Sequence, residues 1–290
     1  MTTNDTAIHT RALLVWLQIS MWSARKYDRA VSAKTNRDHG ASSDASRTNK
    51  FLLPGDSTSY KALTTLAGSI RAEHYTNTLA WSDEGWRLLP TANYIEYTDW
   101  LRKRQNEFST ALDAFVADYP AMRTQASLKL GGLYKSEDYP DVSDLRGKFS
   151  VGLSYMPVPI DGDIRVNLGS DQIATIEQDI AAKRSASVDT AMADAWQRLH
   201  SVVSHVVTKL SDPSAIFRDS LIENTQEMCN VLKRLNITND TNLDAMRVSV
   251  EKQIASMQPQ TLRDSKVARQ QTADKAQAIL DNMSAFYAAK

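Results

Sequence analysis

The chain has 290 residues, 34 basic and 34 acidic side chains, and a formal net charge of zero. Hydrophobic residues make up 42% of it and charged residues 23%, a balance that excludes disorder over most of the length and leaves enough apolar volume for a core. A neutral total excludes a whole-molecule basic field, so any site for nucleic acid or anionic lipid is local. A single cysteine, Cys229, excludes a disulfide framework and a cysteine-based zinc site.

The first ten residues are polar and carry no basic cluster ahead of an apolar run. The run 12–19, interrupted by Gln18, is too short for a membrane span. Together with the absence of disulfide chemistry, this predicts a cytoplasmic protein. Leu13, Val15, Leu17, Ile19 and Met21 alternate with Leu14, Trp16, Gln18, Ser20 and Trp22, and apolar residues on both faces predict a strand in the middle of a sheet. Residues 23–33 read as a basic helix, and 35–50, with no aliphatic residue larger than alanine, as a polar loop. Asp56 or Ser57 caps a helix that carries Leu63, Leu66, Ile70 and His74 on one stripe. Residues 76–81 and 86–89 read as short strands around a Ser-Asp-Glu-Gly turn. The next stripe, Tyr94, Tyr97, Leu101, Phe108, Leu112, Phe115 and Tyr119, has helical spacing and closes at Pro120. A shorter helix over 121–130 then ends at Gly131 and Gly132.

Phe149, Val151, Leu153 and Tyr155 alternate with small or polar residues, as do Ile164, Val166 and Leu168 after Asp161-Gly162-Asp163, which predicts a hairpin. Beyond Asp171 every periodic segment is helical. A long stripe over 171–210 has room for a break at 185–187, Asp212-Pro213 is placed to start another helix with proline at its first position, and two more helices cover 243–257 and 262–286. The segregation predicts an α+β fold: a mixed antiparallel sheet with packed helices over 1–170, including the polar loop 35–50, and a helical bundle over 171–290. Five of six tryptophans and nine of ten tyrosines precede residue 156, which separates the two halves in composition as well.

No Walker-type loop, Gly-x-Gly-x-x-Gly or Gly-x-Ser-x-Gly occurs. The histidines are His9, His39, His74, His200 and His205. His200 and His205, five apart on one helix, project about 140° from one another and do not make a metal pair, so the histidines read as surface or core-edge residues. Cys229 sits in a helical stripe and reads as core rather than nucleophile. Asp161 and Asp163 offer two carboxylates for a cation, but a hairpin turn takes the same residues. Glu223 and Glu227 share a helix face and read as solvated surface rather than an acid/base pair. No catalytic residue, no cofactor-binding residue and no metal ligand is therefore assigned.

One charge asymmetry stands out. Between Arg25 and Lys61 lie eight basic residues against four acidic ones, Asp28, Asp38, Asp44 and Asp56. Arg25, Lys26, Arg29, Arg37, Arg47 and Lys50, joined by Arg102, Lys103 and Arg104 on the aromatic-striped helix, are the candidates for phosphate contacts. Tyr27, Phe51 and Tyr60 are candidate stacking faces for a single strand of nucleic acid. The competing reading is a solvated helix face and a flexible loop, because an excess of four charges is a weak field. The striped helices of the second half either close a bundle on themselves or leave a face for a second copy of the chain or another protein.

Residues 81–90 (Trp-Ser-Asp-Glu-Gly-Trp-Arg-Leu-Leu-Pro), 204–213 (Ser-His-Val-Val-Thr-Lys-Leu-Ser-Asp-Pro), 217–224 (Phe-Arg-Asp-Ser-Leu-Ile-Glu-Asn) and 235–240 (Leu-Asn-Ile-Thr-Asn-Asp) carry a resemblance over nearly the whole chain. In them the chain resembles a family of bacteriophages and integrative mobile elements, one of the domains of unknown function. The resemblance transfers no catalytic residue. It implies a context: genes for MoxR-like AAA+ ATPases and for von Willebrand A or cobalt-chelatase-like proteins, and in some neighbourhoods single-strand annealing proteins and exonucleases. The expectation is a non-catalytic adaptor or structural protein in the host cytoplasm, working with such an ATPase module and not with a membrane. The alternative is a single-stranded DNA-binding or annealing protein.

Overall fold

Hydrophobic patterning becomes structure in a computed structural model that describes residues 8–82, 84–160, 162–164 and 166–287. In chain order the elements are α1 (Ile8–Arg11), β1 (Ala12–Ser20), β2 (Arg25–Tyr27), α2 (Arg29–Asp38), β3 (Asn49–Phe51), α3 (Thr58–Asn77), β4 (Leu79–Ala80), β5 (Arg87–Pro90) and α4 (Tyr94–Leu130). There follow α5 (Val142–Leu145), β6 (Ser150–Pro157), α6 (Ser170–Ser211), α7 (Ser220–Leu235), α8 (Thr241–Val250), α9 (Pro259–Asp264) and α10 (Lys266–Tyr287). The fold is α+β. One sheet has the order β4-β5-β1-β6, so β1 is interior as its two-faced pattern predicts, and β2 and β3 form a separate antiparallel ribbon. β1 runs antiparallel to β5 with Leu14 opposite Leu88, and β4 antiparallel to β5 with Leu79 opposite Leu88. No helix among the described residues is long and apolar enough to cross a membrane.

Two compact units emerge. One comprises Met1–Trp16, Glu73–Thr98 and Ser154–Lys290, the other Leu17–Ala72 and Asp99–Leu153. The sequence pattern suggests one boundary near residue 170, whereas the chain passes between the units after 16, 72, 98 and 153.

In the first unit the core lies along α6. Val188, Met192, Trp196, Leu199, Val203 and Val206 recur at three- and four-residue intervals and join one cluster with Leu221 and Leu232 of α7, Ile279 and Met283 of α10, and Leu14, Leu79 and Leu88 of the sheet. Each such side chain, fully buried, contributes about 1.5–3 kcal/mol. α6 runs unbroken for 42 residues, about 63 Å. The break expected at 185–187 is absent because the stripe continues through it: Arg184 and Val188 are both buried and four apart. The helix expected at Asp212-Pro213 begins instead at Ser220. Asp212 turns the chain by accepting from the Ser214 N–H at 2.8 Å, and Arg269 donates to the carbonyls of Lys209 (2.8 Å), Leu210 (3.1 Å) and Ala215 (2.8 Å), which closes the end of α6. His74, read as a surface or core-edge residue, is 3% exposed and joined to the Tyr97 hydroxyl at 2.7 Å. Gly85 is required where it stands: its φ is +94°, and a Cβ would meet the Trp16 indole nitrogen at 3.1 Å.

The second unit is aromatic. Phe115 is fully buried between Tyr60 (5.4 Å between ring centroids), Tyr119 (5.9 Å) and Phe149 (5.6 Å), and Trp22 meets Tyr119 edge-on at 5.9 Å. α4 does not close at Pro120 but continues to Leu130. The Pro120 ring is exposed, so the carbonyl it leaves unpaired lies on the solvent side, while Phe115, Tyr119, Met122 and Ala126 stay buried in one stripe across it. Gly131 then takes a φ of +49°, the left-handed ending expected at that pair.

The basic helix expected over 23–33 is a strand, β2, followed by α2, and the loop expected over 35–50 is the second half of α2, a turn and β3. Side chains explain both. Asp28 caps α2 by accepting from the Val31 N–H at 3.1 Å, Ser32 accepts from the Thr48 N–H at 2.9 Å, and buried Asn36 donates to the Ser43 carbonyl at 3.0 Å. These short polar residues give the turn the hydrogen bonds that a periodicity reading cannot see. The hairpin expected around Asp161-Gly162-Asp163 does not form as such. β6 pairs with β1, and no strand follows it among the described residues; Asp161 lies outside them.

Candidate functional site

The ribbon of the second unit places the candidate stacking residues. Antiparallel pairing sets Arg25 opposite Phe51, Lys26 opposite Lys50 and Tyr27 opposite Asn49. Alternation along a strand puts Arg25, Tyr27, Asn49 and Phe51 on one face. The Arg25 guanidinium lies over the Phe51 ring, 4.9 Å from its centroid, and Arg47, from the turn before β3, lies over Tyr27 at 4.6 Å. All four side chains are exposed, Phe51 at 63%. Two arginine–aromatic pairs thus stand side by side, about 7 Å apart along β2. Lys26 on β2 and Arg29 and Arg37 on α2 are exposed nearby in the same unit.

Lys50 is placed otherwise than its sequence context suggests. It is 7% exposed, and its ammonium is taken by Asp138 (2.6 Å), the Leu133 carbonyl (2.8 Å) and Asp28 (3.7 Å). It anchors the ribbon from below and offers nothing to a phosphate. The Asp28 carboxyl is held below the usual carboxylate range chiefly by the Val31 N–H, with the Lys50 charge adding to the effect. The 102–104 cluster is also largely neutralised within its own helix. Arg102 pairs with Asp99 at 3.2 Å and Arg104 with Glu107 at 2.8 Å, which leaves Lys103 exposed between them. Tyr60 gives its ring to Phe115 and its hydroxyl to the Trp22 carbonyl at 2.8 Å, so it presents only part of a face.

Beside the ribbon opens a cleft of about 860 Å³. Arg25 and Phe51 line its mouth; Val31, Leu53, Leu130 and Leu133 line its walls; Lys61 and Lys129 reach it from α3 and α4. Its single lining carboxylate, Asp28, is already engaged as described. Sequence periodicity does not mark Lys129, because only the closure of α4 onto the ribbon brings it there; the available signal is its place in the last turn before Gly131.

The first unit has a smaller hollow of about 480 Å³, lined by His205, Lys209 and Arg218 together with Phe217 and Ile216, the last 91% exposed. Of the two helical histidines, His205 lines this hollow. Cys229 is 1% exposed, its thiol pushed up to about 11 by burial, and it points at the Arg247 carbonyl at 3.8 Å. Glu223 and Glu227 are exposed. Comparison with protein-family models, with curated proteins and with solved structures finds no match to this chain.

Proposed function

We propose that this chain is a single-stranded DNA-binding protein of a bacteriophage or mobile element, acting in the host cytoplasm through the ribbon of its second unit. The observation that carries the reading is the pair of exposed arginine–aromatic stacks on one ribbon face, Arg25 over Phe51 and Arg47 over Tyr27. Exposed rings and the guanidinium planes stacked on them offer stacking surfaces to any base, and the same guanidinium groups serve the phosphates, which is what binding of a single strand without sequence preference requires. Arg29 and Arg37 of α2 add exposed positive charge in the same unit, while Lys26 lies on the opposite ribbon face. The phage context comes from the sequence resemblance. The test is fluorescence anisotropy of a labelled oligothymidylate over a salt series. The expected log–log slope is about −0.7 for each phosphate neutralised, and Arg47→Glu weakens binding. Absence of binding at low salt overturns the reading.

A second reading has its own observation, the hollow of the first unit. His205, Lys209 and Arg218 beside the almost fully exposed Ile216 suit an acidic segment with an apolar anchor on a partner protein. An adaptor role beside a MoxR-like AAA+ ATPase or a von Willebrand A-domain protein would use this surface, as would a contact with a second copy of the chain. Co-purification with the neighbouring gene products, lost in Ile216→Glu, supports it. A chain that retains none of them, and stays monomeric, counts against it.

A further inference from the structure

The cleft beside the ribbon asks for a ligand of definite chemistry. Its walls are apolar, from Val31, Leu53, Leu130 and Leu133, and its volume of about 860 Å³ is that of a small-molecule site. Four cations line it: Lys50 is taken by Asp138 and Asp28, while Arg25, Lys61 and Lys129 have no ion-pair partner among the described residues. The one carboxylate in the lining, Asp28, is spent on the Val31 N–H and on Lys50. A cavity with apolar walls, positive groups and no free counter-ion of its own favours an anion with an apolar body. Continuity with the ribbon narrows the choice further. Arg25 and Phe51 form one of the two exposed stacks and also line the mouth, so a strand lying across the ribbon passes directly over the opening.

We infer that this cleft holds one nucleotide, its base turned out of the strand against Phe51, Leu53 and Leu133 and its phosphate set between Lys61 and Lys129. The inference deepens the single-strand reading and rests on it for the source of the nucleotide. A base leaves its neighbours at modest cost in a single strand, and the apolar wall with the Phe51 ring offsets that cost. The shared chemistry is a planar base bearing a phosphate, delivered either by a strand or as a free mononucleotide.

Gly55 offers a clean way to fill the cleft. Its φ lies outside the left-handed region, and a Cβ there would meet only the Lys129 ammonium, at 4.0 Å. Gly55→Phe therefore occupies the cavity without straining the backbone. Lys129→Glu, at an exposed position, is the second variant should the first fail to fold. The full chain and both variants are titrated with a twelve-residue oligothymidylate and, separately, with thymidine monophosphate. Arg47→Glu, which leaves the cleft lining intact, serves as the ribbon control. The expected result is about a tenfold loss of oligonucleotide affinity in Gly55→Phe and in Lys129→Glu, the scale of one lost base or phosphate contact. If the monophosphate binds the unaltered chain and Arg47→Glu but not Gly55→Phe, the site also takes free nucleotide; if it binds neither while the oligonucleotide losses hold, the site serves the strand alone. Equal oligonucleotide affinity in the unaltered chain and both cleft variants overturns the inference and leaves the ribbon reading standing. Monophosphate binding that Gly55→Phe abolishes, with no oligonucleotide binding at low salt, supports the cleft and removes the strand. Binding of neither probe overturns both.

Discussion

The two units bury polar groups in different ways. In the first, buried threonine hydroxyls return to their own helices: Thr225 donates to the Leu221 carbonyl and Thr272 to the Ala268 carbonyl, each at 2.8 Å. Long helices satisfy their backbone internally, so the core between them is free to be aliphatic. The second unit has a short ribbon, a turn at 39–48 and irregular chain after Leu130. There the buried polar groups tie remote segments together: Lys50 reaches the Leu133 carbonyl and Asp138, and the Tyr139 hydroxyl donates to the Leu52 carbonyl at 2.8 Å. The first unit has such ties as well, His74 to the Tyr97 hydroxyl and Asn93 to the Asn77 carbonyl, but sets them beside a large aliphatic core. The second unit places a buried ammonium at the centre of its ties, and its ribbon and turn present the exposed arginines and rings.

That contrast breaks most sharply at Lys50. Lys50→Met keeps the stem but removes the charge, leaving Asp138 and Asp28 side by side with side chains only 7% and 12% exposed. Loss of one partner from a buried ion group costs about 3–5 kcal/mol. Thr225→Val in the first unit removes a hydroxyl bonded within its own helix and costs about 1 kcal/mol. Urea unfolding of the two variants measures the difference. If Lys50→Met costs no more than Thr225→Val, the second unit is not held by its polar anchors. Adding Asp138→Asn to Lys50→Met should recover part of the loss, because the excess cost is the uncompensated carboxylate.

Acid sharpens the comparison next. Burial, with the Arg87 charge adding, lowers His74 from its ordinary value of 6.5 to about 4. In the unfolded chain the imidazole takes up a proton near pH 6.5, while in the folded chain it resists down to about pH 4, so the unfolded state binds more protons between these limits. The stabilisation is fully present above pH 6.5, falls progressively as the pH drops toward about 4, and declines no further below. A displacement of that size corresponds to about 3 kcal/mol. Asp28, in the second unit, is lowered from 3.8, so its contribution is lost only at more acid pH. The check is stability against pH from 7 to 4, followed for the unaltered chain and for His74→Gln. The slope should be smaller in the variant, and an unchanged slope removes His74 as its source.

How far each unit was legible in the sequence follows from the same contrast. The stripe of α6 from Val188 to Leu210, the strand β1 and the turn at Gly85 obey periodicity and local chemistry, and the residues alone place them. Pro120 does not, since a tertiary fact, an exposed ring beside a buried stripe, overrides its local preference. The second unit's turn depends on Asn36 and Ser32 finding Ser43 and Thr48 ten or more residues away in the case of Ser32, which no window of the sequence displays. The candidate site shows the same limit. Arg25, Lys26, Arg29, Arg37 and Arg47 are legible as basic residues among aromatics, but the stacking of Arg47 on Tyr27, the withdrawal of Lys50 and the arrival of Lys129 all require the ribbon and α4 to be closed together.

The smallest expected effect lies at the helix caps, where the two units are most alike. Asp240 caps α8 by accepting from the Asn242 N–H (2.9 Å) and the Leu243 N–H (3.1 Å), and its second oxygen accepts from the Trp196 indole at 3.0 Å. Asp28 caps α2 through the Val31 N–H and lies 3.7 Å from Lys50. Removing a capping carboxylate costs about 1 kcal/mol. Asp240→Ala also strands the indole N–H of buried Trp196, so it should sit toward the upper end, about 2 kcal/mol. Asp28→Ala leaves Lys50 its nearer partner, Asp138, and should stay close to the cap value alone. Asp28→Asn, which keeps an accepting oxygen for Val31 but not the charge, separates the two contributions: stability near that of the unaltered chain assigns Asp28 to capping, and a loss equal to that of Asp28→Ala assigns it to the ion group, which would make even a helix cap in the second unit part of its polar anchoring.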